Sequence, residues 1–156
     1  MKLRILGVKT LKISQKGIDH IKSYEKLVLE AYMPTKHDVP TVGYGHTKNV
    51  KMSDKIDDLQ AELFLREDLA WVEACVNKYV KVPMTQSQYD GLCGFVFNLG
   101  EANFKSSTML KHINAGNWEA AAKSMLQWNK QRTPSGLVVL NGLTKRRAKE
   151  SAMLLK

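Results

Sequence analysis

A chain of 156 residues is long enough for one compact domain, or two small lobes sharing a helix, to bury a core without disulfide or metal staples. Hydrophobic residues make up 44% and charged residues 25%, which excludes a disordered or fibrous protein. Lys and Arg number 24 against 15 Asp and Glu, and the surplus of +9 favours a polyanionic partner, either nucleic acid or the anionic wall of a bacterium. The lysines are spread over the whole chain with no basic tail and no aromatic-interleaved strip, which weakens the nucleic-acid reading. Cys75 and Cys93 have no CxxC spacing and no nearby His cluster, so they read as buried free thiols rather than zinc ligands. No apolar run approaches the roughly 20 residues that span a bilayer. The basic start of the chain is followed by an apolar piece too short and interrupted for a secretory signal, so the expected site of synthesis and residence is the cytoplasm.

In chain order, residues 1–12 are basic and irregular, an arm or a short strand. Ser14 is placed to cap a helix over 15–24, with Ile18, Ile21 and Tyr24 or Glu25 along one face. Residues 29–33 and 41–44 read as short strands around a turn, and Pro34 and Pro40 restrict them to sheet edges. Gly43 and Gly45 suit a tight turn with positive φ. From Asp57 or Asp58 to Tyr79 runs an uninterrupted helical pattern carried by Leu59, Leu63, Leu69, Val72, Val76 and Tyr79, about 30 Å long. Thr85-x-x-Gln88 is a capping box opening another helix with Tyr89, Leu92, Cys93, Val96 and Leu99 inward and Gly100 as its stop. A short helix over 107–114 ends at Gly116, Asn117 caps one running to 128, residues 129–142 read as a loop, and a basic helix over 143–155 closes the chain. The predicted class is α+β, mainly α: a small mixed lobe (14–57), a bridging helix (58–80) and a helical lobe (81–156), with a cleft between the lobes for a long substrate.

The chemistry concentrates between Glu25 and Thr47. Glu25 stands alone in an apolar run with Tyr24, Leu27 and Val28. Desolvation there raises a carboxyl pKa and makes a general acid, the competing reading being an exposed acid at a helix end. The order Glu25, Ala31-Tyr32, then Thr41-Val42-Gly43-Tyr44-Gly45-His46-Thr47 resembles the phage-type lysozymes (endolysins) of the T4 lysozyme superfamily, glycoside hydrolase family 24. Later landmarks follow in the same order: Gln86 to Gly100, Phe104 to Thr108, Asn114 to Trp118 and Gly142 to Glu150.

That resemblance implies a lysozyme-like fold and a muramidase that cleaves the β-1,4 bond between N-acetylmuramic acid and N-acetylglucosamine in peptidoglycan. It assigns proton donation to Glu25 and the positioning of water on the opposite face, with inversion, to Thr41 and a loop acid. Here the sequence departs from the family pattern. The slot of the usual second acid holds Pro34, and the loop is one residue longer. Asp38 is the only carboxylate in the loop and His37 the other base, and either is a candidate against a purely structural turn. The resemblance further implies an ion pair between His46 and Asp68, an arginine, Arg147, reaching from the last helix to Glu25, and glycan contacts from Thr47, Phe97 and Ser107. Phe97 could equally be core, and Ser107 a helix cap. No HExxH, Cys/His cluster or phosphate loop calls for a metal or organic cofactor. The family reading implies a monomer that needs a separate holin to reach the wall. Its competitors are a wall-binding protein with impaired catalysis, a lytic transglycosylase and a basic nucleic-acid-binding domain.

Overall fold

A computed structural model describes residues 10–156, and the basic stretch 1–9, most of the expected arm, lies outside them. Helix α1 spans Gln15–Tyr24, and its cap is Ser14, whose hydroxyl accepts from the Gly17 N–H. The helix start is pinned to the rest of the molecule by two acids: Ser14 N–H donates to Asp90 Oδ1 at 2.9 Å, and Ile13 N–H donates to Glu73 Oε2 at 2.9 Å. Ile18 and Ile21 turn inward. The chain then forms two antiparallel strands, β1 (Val28–Tyr32) and β2 (Thr41–Gly43), in register at Val28–Gly43 and Tyr32–Thr41 with an irregularity between.

Helix α2, Asp58–Tyr79, starts at Asp57, whose carboxylate accepts from the Gln60 N–H at 2.8 Å. Its buried stripe is Ala61, Leu65, Leu69, Val72, Cys75 and Val76. Leu59 and Leu63, expected on that stripe, are 66% and 51% exposed. Positions 61, 65, 69, 72 and 76 keep unbroken steps of three and four, whereas 63 lies two residues, about 200°, from 65. Helix α2 packs on both β2 and α3.

Helix α3, Gln86–Ser106, opens with the capping box of Thr85 and Gln88, and Gly100 breaks its helical path with φ 87°. Gly100, with ψ 168°, is thus the expected stop of the helical stretch that the capping box opens, and a second helical stretch continues from it to Ser106. Helix α4 (Thr108–Asn114) and helix α5 (Trp118–Met125) follow, and α5 stops three residues short of the expected Trp128. The stretch read as a loop contains a hairpin, β3 (Lys130–Thr133) and β4 (Gly136–Val139), paired from Lys130–Val139 to Thr133–Gly136 across Pro134 and Ser135. Helix α6, Asn141–Leu154, packs on α3 and α5. One apolar core joins the helices, centred on Leu69, Tyr89, Phe95, Phe104, Met109 and Met125. Cys75 and Cys93 are buried in it, unpaired. The class is α+β, mainly helical, and among the described residues no helix is long and apolar enough to cross a membrane.

Candidate active site

Glu25 is the residue at which α1 ends. Its N–H still closes the helix on Ile21 O at 3.1 Å, but its φ of −96° and ψ of 132° are already extended. Its side chain is one-quarter exposed, and one oxygen is taken: Arg146 Nη1 donates to Glu25 Oε1 at 3.0 Å. The same guanidinium donates from Nη2 to Gly94 O at 3.0 Å and from Nε to Glu150 Oε2 at 3.1 Å. All three nitrogens are therefore oriented, in a residue only 3% exposed.

This corrects the expectation for Arg147. Its side chain is fully buried and turns away from Glu25: Nε donates to Trp128 O at 2.9 Å, Nη1 to Glu150, and Nη2 to Asn98 Oδ1. Adjacent helical positions point about 100° apart, so only one of the pair can face Glu25. Burial pulls the Arg147 guanidinium below its ordinary value, and Glu150 works against that. Glu150 itself is fully buried and also meets His20 Nε2 at 2.9 Å.

Glu25 lies where two hollows meet. One, of about 330 Å³, is lined by Glu25, Tyr44, Gly45, Thr47, Asp68, Trp71, Phe97 and Asn98. The other, of about 320 Å³, shares Glu25 and Asn98 and adds Tyr24, Leu140, Gly142, Leu143 and Arg146. Thr47 and Phe97 are thus brought to the acid. Ser107 is not: it is 3% exposed, accepts from Leu110 N–H at 3.1 Å and donates to Phe104 O at 2.8 Å, which makes it the cap of α4 rather than a cleft residue.

Thr41 is buried in β2, and its hydroxyl donates to Val39 O at 3.0 Å. Asp38 is exposed; its carboxylate accepts from Thr35 Oγ1 at 2.8 Å and its N–H donates to Thr35 O at 3.2 Å, a closed turn. His37 is exposed on the same turn. None of the three lines either hollow around Glu25.

His46 is 3% exposed, with Nδ1 at 2.9 and 3.0 Å from the two Asp68 oxygens and its ring stacked on Phe64 at 4.1 Å. The turn that delivers it is closed by reciprocal bonds between Val42 and His46, both 2.9 Å, and needs positive φ at Gly43 (68°) and Gly45 (83°). Burial pushes the Asp68 carboxyl above 3.8, against the downward pull of His46. Arg146, Glu150, His20, Asn98 and Trp71 were not singled out from the sequence. The first two carried a readable signal, since Glu150 stands four residues after Arg146 and three after Arg147, the spacing of ion pairs along a helix. Among the described residues no group of three or more His, Cys, Asp or Glu is placed to hold a metal ion.

The phage lysozyme family profile matches residues 22–150. The chain is 45% identical over 141 residues to the endolysin of Acyrthosiphon pisum secondary endosymbiont phage 1, covering 90% of this chain and 96% of that one. Among solved structures it is similar to the muramidase domain of SpmX from Asticaccaulis excentricus (TM-score 0.88, 34% identity, 93% of this chain and 98% of that one). It is also similar to an endolysin from Escherichia coli O157:H7 phage FAHEc1, with TM-score 0.85, 40% identity and 94% of each chain covered. With the family profile, the shared fold and an acid held by an arginine in an open groove all in agreement, the chain belongs to the phage lysozyme family.

Proposed function

We propose that this phage lysozyme works as an endolysin of muramidase type, hydrolysing the β-1,4 bond between N-acetylmuramic acid and N-acetylglucosamine in bacterial peptidoglycan, with Glu25 as the general acid. The observation that carries this reading is the placement of Glu25 at the junction of two hollows, with Oε1 fixed by Arg146. A glycan strand lying through both hollows crosses the acid, and the second carboxyl oxygen is left to protonate the departing glycosidic oxygen. In this reading residues 14–57 form the catalytic lobe, 58–80 the bridge and 81–156 the helical lobe. Thr47 and Phe97 contact the glycan.

Thr41 and Asp38, which line neither hollow here, hold the attacking water on the opposite face once the 33–40 loop opens the groove to them. Thr41 Oγ1 donates to Val39 O, which leaves its lone pairs to accept from a water. Asp38 is the nearest carboxylate in sequence to Thr41 and must leave its turn with Thr35 to act as base. The enzyme acts as a monomer without a cofactor, and reaches the wall from the cytoplasm through the pore of a separate holin.

The closed turn of Asp38, together with Pro34 in the usual acid's slot, favours a second reading, a lytic transglycosylase that uses Glu25 alone and no activated water. Digestion of purified peptidoglycan separates the two. Hydrolysis releases reducing sugars, with Glu25→Gln lowering the rate by about 10²–10⁴-fold and Asp38→Asn removing most of it. Anhydro-muramic products with an undiminished Asp38→Asn variant would establish the second reading. An active Glu25→Gln variant would reject both.

A further inference from the structure

The group that orients the acid is itself held by a buried carboxylate that no part of the proposed reaction uses. Glu150 is fully buried and receives Arg146 Nε at 3.1 Å, Arg147 Nη1 and His20 Nε2 at 2.9 Å. A buried cluster of this kind is weak evidence for stability, because packed apolar residues of similar volume hold a core at least as well. Its geometry has a different consequence. Arg146 is fixed on two sides by Glu150 and Gly94 O, and the nitrogen left over is the one that meets Glu25. We propose that Glu150 is a positioning residue for the catalytic acid: it aims Arg146 at Glu25 Oε1 and balances the two arginine charges beside it, with His20 holding Glu150 in place.

The inference rests on Glu25 as the general acid. The charged and titratable groups around it come from every side: His20 and Tyr24 on α1, Arg146, Arg147, Lys149 and Glu150 on α6, Asp68 on α2, and Tyr44 in the turn after β2. Among the described residues only Glu150 is an anion bonded to both arginines. Without its charge, two guanidinium groups act on Glu25 with one fewer anion between them, and a nearby cation favours the ionised form of a carboxyl, which cannot donate a proton.

The test is steady-state cleavage of purified soluble peptidoglycan fragments across pH, with folding checked by circular dichroism and thermal melting. Glu150→Gln is expected to lower kcat by about tenfold or more with KM within about twofold, and to move the alkaline limb of the kcat profile down by about one pH unit. His20→Leu is expected to lower kcat about threefold, with rescue by His20→Gln, which retains an N–H donor. A folded Glu150→Gln variant with wild-type kcat and pH profile overturns the proposal. If Glu150→Gln does not fold, the His20 variants decide it: unchanged kcat in His20→Leu overturns it. Glu25→Gln runs alongside, because activity surviving that change removes the acid assignment itself, whereas a dead Glu25→Gln beside an unaffected Glu150→Gln removes only the inference.

Discussion

Arg146 and Arg147 differ by one position and by about 100° around α6, and that angle separates an arginine on the acid from one in the core. The sequence carries a basic last helix plainly, but not its phase. The phase is set where α6 crosses α3 at Gly91 and Gly94: a Cβ at Gly91 would sit 3.1 Å from Glu150 O, and one at Gly94 would sit 2.6 Å from Glu150 Oε2. No periodicity in either helix reports that contact. Gly94→Ala is therefore expected to destabilise the fold by about 1–3 kcal/mol and to reduce activity, since the added methyl takes the space of the carboxylate that holds Arg146. Gly142→Ala has no atom within 4 Å of the new Cβ and is expected to be neutral or stabilising by up to about 1 kcal/mol. Equal melting temperatures for the two variants would contradict this. The cysteines were legible as buried thiols, and burial pushes the Cys75 thiol from 9.0 up to about 11 and Cys93 higher still. Both should resist a soluble thiol reagent at neutral pH in the folded enzyme and react in guanidinium chloride, and rapid labelling of the native protein would count against it.

Among the elements, the caps were the readable part. Ser14, Thr85 and Asn117 each cap the helix the sequence assigns them, Asp57 is the one of the two candidates that caps α2, and Ser107 takes the cap role that stood as the alternative to a glycan contact, because a cap is a local exchange between a side chain and a backbone N–H a few residues on. The β3–β4 hairpin was not readable. Every residue of β4 is exposed and most of β3, so no face is buried and no alternation is imposed on the sequence. The α2 stripe falls between these cases: its length and start were legible, while Leu59 and Leu63 suggested a face that the packing on β2 and α3 does not use. Three alanine variants followed by denaturant unfolding test this account. Thr85→Ala should cost about 1 kcal/mol through loss of the capping box. Leu65→Ala, at 1% exposure, should cost about 2–5 kcal/mol. Leu63→Ala, half exposed, should stay within about 0.5 kcal/mol of wild type. A larger loss at 63 than at 65 would place the buried stripe where the sequence first suggests it.

For the whole molecule, the acid and the surplus charge act over different ranges. Glu25, Arg146 and Glu150 interact through contacts of 3.0 and 3.1 Å in a largely buried cluster, far inside the Debye length of about 10 Å at 0.1 M salt. The net charge of +9 acts on a substrate at a distance and is expected to draw the enzyme to an anionic wall before any sugar enters the groove. The two contributions separate with ionic strength. Raising salt from about 0.05 to about 0.5 M shrinks the screening length several-fold and should sharply slow lysis of whole cell walls. Turnover of soluble glycan fragments stripped of peptide and phosphate should change by less than about twofold, because the short buried contacts are little screened. The comparison is a turbidity assay on walls beside a reducing-end assay on fragments, in the same buffers. Parallel loss in both assays would mean that salt reaches the Glu25 cluster. Loss in neither would mean that the basic surface plays no part in finding the wall.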